Sequence, residues 1–231
     1  MQHLLLLHGA IGSTDQLDNL ADLLKDNFPI HTFNFSGHGG NPLGADAFSI
    51  ELFAKDVLKY MDENKLQQVS IFGYSMGGYV ALYLAKHHTG RIDKVATLAT
   101  KVAWDETTAA TEIQMLNPEK IAVKLPAFAE TLRQRHAPAD WKEVLHKTAE
   151  MMTNLGKNNT LQLSDYTTIE NHILLLLGDR DKMVGLAETE AVYRALPQAQ
   201  LGIIPCTPHS IDQVDMDALQ FLLKRFLLQG N

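Results

Sequence analysis

The stretch Val69–Ser70–Ile71–Phe72–Gly73–Tyr74–Ser75–Met76–Gly77–Gly78–Tyr79–Val80–Ala81–Leu82 narrows the folding options of this chain more than any other. A short apolar run ends in Gly-x-Ser-x-Gly and passes without a break into good helix formers, which predicts a buried strand, a tight turn and a helix. Ser75 stands at the apex, in a backbone conformation that costs about 1–3 kcal/mol and tends to persist where function needs it. Side chains at Gly73 and Gly77 would collide with the neighbouring strand and helix, so glycine is used at both. We read Ser75 as a nucleophile; taken alone, the same pattern would also suit a structural turn.

The flanking sequence extends the strand–loop–helix rhythm. His3–Leu7 reads as a buried strand that ends in the loop His8–Ser13, and residues 14–27 follow with Leu17, Leu20, Leu23 and Leu24 at helical spacing, up to Pro29. Ile30–Phe35 is a second strand, followed by the glycine-rich loop Ser36–Asn41. An amphipathic helix runs from Ala45 to about Asn64, with Phe48, Leu52, Val57, Leu58 and Met61 facing inward. The third strand, Gln68–Phe72, leads to the helix Met76–Lys86, and Ile92–Ala99 is the fourth. Helices long enough to return the chain between strands predict a parallel sheet.

After the fourth strand the rhythm breaks. Lys101–Ile169 contains no convincing strand but four helical stretches, Thr108–Leu116, Pro118–Val123, Pro126–Arg135 and Pro138–Leu155. Proline stands at or near the start of three of them, where its missing N–H does no harm. We expect residues 101–170 to form a helical lid inserted into a core of residues 1–100 and 171–231. The core resumes with a strand at Asn171–Leu177, a helix at Leu186–Ala195, a last strand at Gln200–Ile204 and a closing helix around Val214–Leu228.

A chain of 231 residues that is 45% apolar suits one soluble domain with a substantial core. Its net charge of -7 is spread without a basic stripe, which argues against nucleic acid or an anionic membrane as partner. Leu4–Leu7 and Ile173–Leu177 are strand-sized rather than membrane-spanning. The first is read as a core strand and not a signal peptide, because His8–Gly9 stands where a small-residue cleavage site would be wanted. Cys206, the single cysteine, excludes an internal disulfide and a zinc–thiolate cluster and suits a reducing cytosol, so a cytoplasmic location is expected. Neither GxxxxGK[ST], GxGxxG nor HExxH occurs, and we expect no cofactor and no metal.

Three chemically capable groups fall at strand ends, along the edge where open α/β sheets bind ligands. They are Ser75, the run Gly178–Asp179–Arg180–Asp181, and His209 in the loop Pro205–Ser210. A serine hydroxyl needs a neutral imidazole to take its proton, and the imidazole needs a carboxylate to fix its tautomer. Asp181 is favoured as that carboxylate, with Asp179 the alternative or else an organiser of the loop or of the helix near Leu186. His8 and His38 are read as structural histidines that hold their own loops, and His87–His88 as a surface pair at a helix end. An acyl-transfer site also needs oxyanion donors: the backbone N–H of Met76 is free at the start of its helix, and the second should come from Ala10 or, failing that, Ile11.

Together Leu7–His8–Gly9, Phe35–Ser36–Gly37–His38–Gly39, Gly73–Tyr74–Ser75–Met76–Gly77–Gly78, Gly178–Asp179–Arg180–Asp181–Lys182–Met183–Val184 and Pro208–His209 resemble the α/β-hydrolase superfamily. The chain order Ser…Asp…His is that of its triad. The resemblance implies a three-layer α/β fold with Ser75 as nucleophile, Asp181 as acid, His209 as base, an oxyanion hole from Ala10 and Met76, and an all-helical lid. The chain departs from the pattern by beginning at the strand before His–Gly. That leaves a mostly parallel sheet of six strands without the usual two N-terminal ones. It also has Pro208 before the histidine and Ser36 in place of a common proline, neither of which removes a reacting group.

The expected activity is hydrolysis of a small ester, thioester or related acyl compound with an apolar part, through an acyl-enzyme. The same scaffold also serves lyases and carbon–carbon bond hydrolases, and a non-enzymatic ligand-binding protein is a further alternative. Trp104, Met115, Leu116, Phe128, Leu132, Trp141, Met151 and Met152 should mostly pack lid to core, with a few lining an apolar pocket. Glu112, Lys124, Arg133, Arg135 and His136 offer groups that could recognise a carboxylate, but at least four of the five should belong to a solvated lid surface.

Overall fold

The computed structural model describes residues 2–229. Six strands, β1 (Leu4–Leu7), β2 (Ile30–Thr32), β3 (Val69–Tyr74), β4 (Ile92–Leu98), β5 (His172–Gly178) and β6 (Ala199–Ile204), form one sheet in the order β2-β1-β3-β4-β5-β6. Every pairing is parallel, with Leu6 opposite Phe72, Gly73 opposite Thr97 and Leu98 opposite Leu176. Parallel pairing brings the carboxyl ends of β3, β5 and β6 to one edge, and the loops carrying Ser75, Asp181 and His209 leave from there.

The period-two alternation of the strands separates two apolar layers. Leu5, Leu7, Val69, Ile71, Ile173 and Leu175 face the layer with α2 (Ile50–Glu63), α3 (Met76–His87) and α9 (Leu186–Ala195). Leu4, Leu6, Phe72, Leu174 and Leu176 face the layer with α1 (Asp18–Leu24) and α10 (Met216–Leu228). Both sides of β1 are therefore covered, and all four of its leucines are fully buried.

Between β4 and β5 lies the helical insertion: α4 (Glu106–Glu112), α5 (Pro118–Lys124), α6 (Pro126–His136), α7 (Trp141–Lys157) and α8 (Leu163–Tyr166). Leu116, Ile121, Leu132, Trp141, Leu145 and Met152 form its own small apolar cluster. Met151 and Leu155 on α7 instead join the main core, which seats the insertion on the sheet's edge. No helix among the described residues is long and apolar enough to cross a membrane.

Several boundaries move for identifiable reasons. The helix expected from Ala45 begins at Ile50, because the Ser49 side chain accepts the Leu52 N–H at 3.0 Å and caps it there. Likewise α7 starts at Trp141 rather than at Pro138, with the Asp140 carboxylate accepting the Lys142 N–H at 2.9 Å. The second strand stops at Thr32 because its continuation leaves the β1 ladder, and the short α8 falls in a stretch with too few residues for a periodic signal.

Candidate active site

Ser75 sits at φ 51° and ψ -115°, in the turn between β3 and α3. Its N–H donates to the Leu98 carbonyl at 2.9 Å and its carbonyl accepts the Thr100 hydroxyl at 3.2 Å, so both sides of the strained residue are tied to β4 and its end. A Cβ at Gly73 would strike the backbone of Gly77 and Gly78, and one at Gly77 would lie 2.5 Å from the Leu7 carbonyl oxygen. The turn closes only because both positions are bare. Ser75 precedes α3 without lending its side chain as a cap, which leaves Oγ for another partner.

That partner is His209. Ser75 Oγ lies 3.2 Å from His209 Nε2, and His209 Nδ1 lies 2.8 Å from Asp181 Oδ2. The Asp181 carboxylate only accepts, so the proton sits on Nδ1 and the Nε2 lone pair faces the serine hydroxyl. The Asp181 side chain is fully buried, and its Oδ1 accepts the N–H groups of Met183 at 2.8 Å and Val184 at 2.9 Å. Burial works against its charge, but the bonds from His209, Val184 and Met183 outweigh it and hold the carboxyl below its ordinary range.

The loop of His209 is held from two directions. Tyr74, next to the serine, donates its hydroxyl to the His209 carbonyl at 3.1 Å, and burial pushes that phenol up to about 12. Asp179 accepts the Thr207 N–H at 3.1 Å. It therefore points at the histidine loop and not at the imidazole, which leaves Asp181 as the imidazole's partner.

Ala10 and Met76 line the same cavity as Ser75, and their backbone N–H groups are unused. Among the described residues neither the Ala10 N–H nor the Met76 N–H has an intramolecular acceptor. Ala10 and Ile11 occupy the middle of a turn closed by Gly12 N–H to the Gly9 carbonyl at 3.2 Å, with Ile11 at φ 52°. From behind, His136 Nε2–H donates to the Ile11 carbonyl at 3.1 Å, and Arg135 reaches the same oxygen at 3.4 Å. The Gly39 N–H, donating to His136 Nδ1 at 3.2 Å, sets the tautomer that makes this possible.

Two other buried histidines support the loops. His8 donates Nδ1–H to the Gly9 carbonyl at 2.8 Å and accepts the Phe35 N–H at Nε2, and burial lowers it to about 4. His38 donates Nδ1–H to the Ser36 carbonyl at 3.0 Å. Both hold backbone, as their sequence context suggests.

The cavity beside Ser75 is small, about 30 Å³, and is lined by Ala10, Met76, Tyr79, Lys101, Trp104 and methionines 151, 152 and 183, among others. Lys101 has little freedom there: Nζ donates to the Met183 carbonyl at 2.7 Å and lies 3.4 Å from Glu188 and 3.8 Å from Glu112. Glu188 also accepts the N–H groups of Val102, Ala103 and Gly185, tying the start of the insertion to the loop that carries Asp181. Composition alone hides this hub; with Gly185 at the N-cap only the returning half of a capping box, from Glu188 to the Gly185 N–H, can form.

Two expectations for the insertion need correction. Glu112 and His136 are buried and Arg135 is only partly exposed, so Lys124 and Arg133 are the exposed members of that set of five. Glu112 folds back onto Lys101, and the other two grip the Ile11 loop. Met115 and Phe128 are exposed and neither pack on the core nor line the cavity, whereas Trp104, Met151 and Met152 do line it.

A profile of the alpha/beta hydrolase fold family matches residues 2–211. The chain belongs to that family. A relative along most of the length is the putative 2-succinyl-6-hydroxy-2,4-cyclohexadiene-1-carboxylate synthase of Bacillus subtilis (strain 168), 24% identical, with 89% of this chain and 82% of that protein covered. A shorter match, 35% identical over 46% of this chain and 38% of the relative, is to the pimeloyl-[acyl-carrier protein] methyl ester esterase of Neisseria meningitidis (strain FAM18). Among solved structures, the 2-hydroxy-6-oxo-6-phenylhexa-2,4-dienoate hydrolase from Rhodococcus sp. strain RHA1 superposes with a TM-score of 0.82 at 17% identity, covering 99% of this chain and 91% of that one. The six-stranded parallel sheet and the helical insertion are thus those of an α/β-hydrolase.

Proposed function

We propose that this α/β-hydrolase is a serine hydrolase that cleaves a small ester, thioester or related acyl compound with an apolar acyl part. The observation that carries the reading is the line Asp181–His209–Ser75, at 2.8 and 3.2 Å, ending in a cavity also lined by Ala10 and Met76, whose backbone N–H groups have no acceptor among the described residues. His209 Nε2 takes the hydroxyl proton as Ser75 Oγ attacks the carbonyl carbon. The carbonyl oxygen gains charge and is met by the Ala10 and Met76 N–H groups. His209 then passes its proton to the leaving alcohol or thiol, and water enters by the same route to release the acid from Ser75.

Asp181 stays ionised throughout and stabilises the imidazolium. The apolar cavity lining supports an apolar acyl group, and the esterase relative supports ester chemistry. A cytoplasmic setting fits a chain whose single cysteine, Cys206, is free. A second reading, in which Ser75 and His209 act as a general-base pair in lyase or carbon–carbon chemistry, draws on the synthase relative that spans most of the chain. An activated fluorophosphonate separates the two. Intact-mass analysis should show one adduct on the wild type, localised to Ser75, and none on Ser75→Ala; an unlabelled but catalytically active wild type would favour the second reading.

A further inference from the structure

The cavity beside Ser75, at about 30 Å³, has room for little more than the reacting carbonyl. Next to it, and sharing Trp104 as a wall, is a second, larger cleft of about 310 Å³. Its walls come from the start of the insertion (Val102 to Asp105), from Leu161, Leu163 and Tyr166 around α8, and from Glu188, Ala191 and Val192 on α9. Trp104 lines both spaces. The partition continues through Tyr79, which lines the catalytic cavity and donates to Asn159, a residue of the cleft.

Two residues of the cleft each carry a buried polar atom with no partner among the described residues: Trp104 Nε1 and the Tyr166 hydroxyl, the latter on a residue only 1% exposed. A buried donor without an acceptor is costly, and natural structures leave few. Both residues line the cleft, whose surface is otherwise mainly apolar. The nearby charges are Asp105 and Glu188, while the Lys101 ammonium is held on the catalytic side by Glu112, Glu188 and the Met183 carbonyl. An anion would meet like charge in this cleft. A neutral acceptor would not.

We propose that the cleft behind Trp104 is the binding site for the distal part of the acyl group, that Trp104 is the specificity-determining wall between it and Ser75, and that the preferred chain carries an uncharged hydrogen-bond acceptor. This deepens the serine-hydrolase reading and rests on it. Chains longer than the catalytic cavity reach the cleft by displacing the indole, and a carbonyl along the chain takes the hydrogen bonds that Trp104 and Tyr166 lack.

The test is kcat/KM on p-nitrophenyl acetate, octanoate and a keto-octanoate, for the wild type and variants that melt cooperatively. Ala191→Phe and Leu163→Trp fill the cleft from different walls. Each should lower octanoate turnover about tenfold, as loss of a few buried methylenes predicts, and leave acetate within about twofold. Trp104→Ala should raise octanoate relative to acetate by about tenfold, and Tyr166→Phe should remove the keto chain's advantage over octanoate. Equal effects on acetate and octanoate in both filling variants, with an active wild type, would overturn the cleft as acyl site and leave the serine mechanism standing. A folded wild type that cleaves no ester and takes no phosphonate would remove the serine-hydrolase reading and this inference with it.

Discussion

His136, the last residue of α6, donates Nε2–H to the carbonyl of Ile11 at 3.1 Å. A helix of the insertion thus holds the turn that contains Ala10, an oxyanion donor of the proposed mechanism, and the insertion does more than cover the cavity. Replacing His136 by Ala should lower kcat for ester hydrolysis about tenfold with little change in KM, since a misplaced oxyanion donor loses part of the roughly 10²–10³ that such a donor supplies. His136→Gln, which can still donate, should recover part of the loss. Steady-state kinetics on a short ester check this, and an unchanged kcat in His136→Ala would separate the insertion from the oxyanion turn.

Asp181 and Asp179 stand two residues apart but face different partners, His209 Nδ1 and the Thr207 N–H. Asp181→Asn should reduce kcat by about 10⁴, because the amide no longer enforces the Nδ1–H tautomer. Asp179→Asn should stay within about tenfold of wild type. Reversed magnitudes in the same assay would exchange the two assignments.

Much of this was legible because the chemistry is written at strand ends. The GxSxG turn, the acidic loop after β5 and the histidine after β6 are local in sequence, and parallel pairing brings their loops to one edge. The choice between Asp179 and Asp181 depends on where a loop turns, and the sequence offers only a preference. The cap at Ser49 was visible in principle, but the apolar Phe48 extended the amphipathic pattern past it. The buried state of Glu112 and His136 depends on tertiary partners, Lys101 and Ile11, which lie far away in the chain.

The glycines predict opposite responses to one methyl group. At Gly77 a Cβ meets the Leu7 and His8 carbonyl oxygens at 2.5 and 2.7 Å, backbone atoms at the carboxyl end of β1 that cannot move aside cheaply. Gly77→Ala should cost about 3 kcal/mol or more in chemical denaturation. Gly90 has nothing within 4 Å of such a Cβ, and Gly90→Ala should be neutral or stabilising by up to about 1 kcal/mol.

Buried histidines make stability depend on mildly acidic pH. His8 is neutral in the fold with a pKa of about 4, below its ordinary 6.5, and burial lowers His38 in the same direction. The unfolded chain therefore binds more protons, so this stability is present above pH 6.5 and is lost as pH falls toward 4. For His8 the loss is roughly 3 kcal/mol over that range. Urea unfolding at a series of pH values should show the decline, and His8→Gln should be less stable at pH 7 but flatter below it.

The central claim, that Ser75 is the nucleophile, is tested most directly by turnover of Ser75→Ala on a short activated ester. The variant removes one oxygen from a position already shaped for a small side chain, so it should melt close to wild type. Its kcat should fall by about 10³ or more. A folded Ser75→Ala that hydrolysed the ester at the wild-type rate would contradict the account.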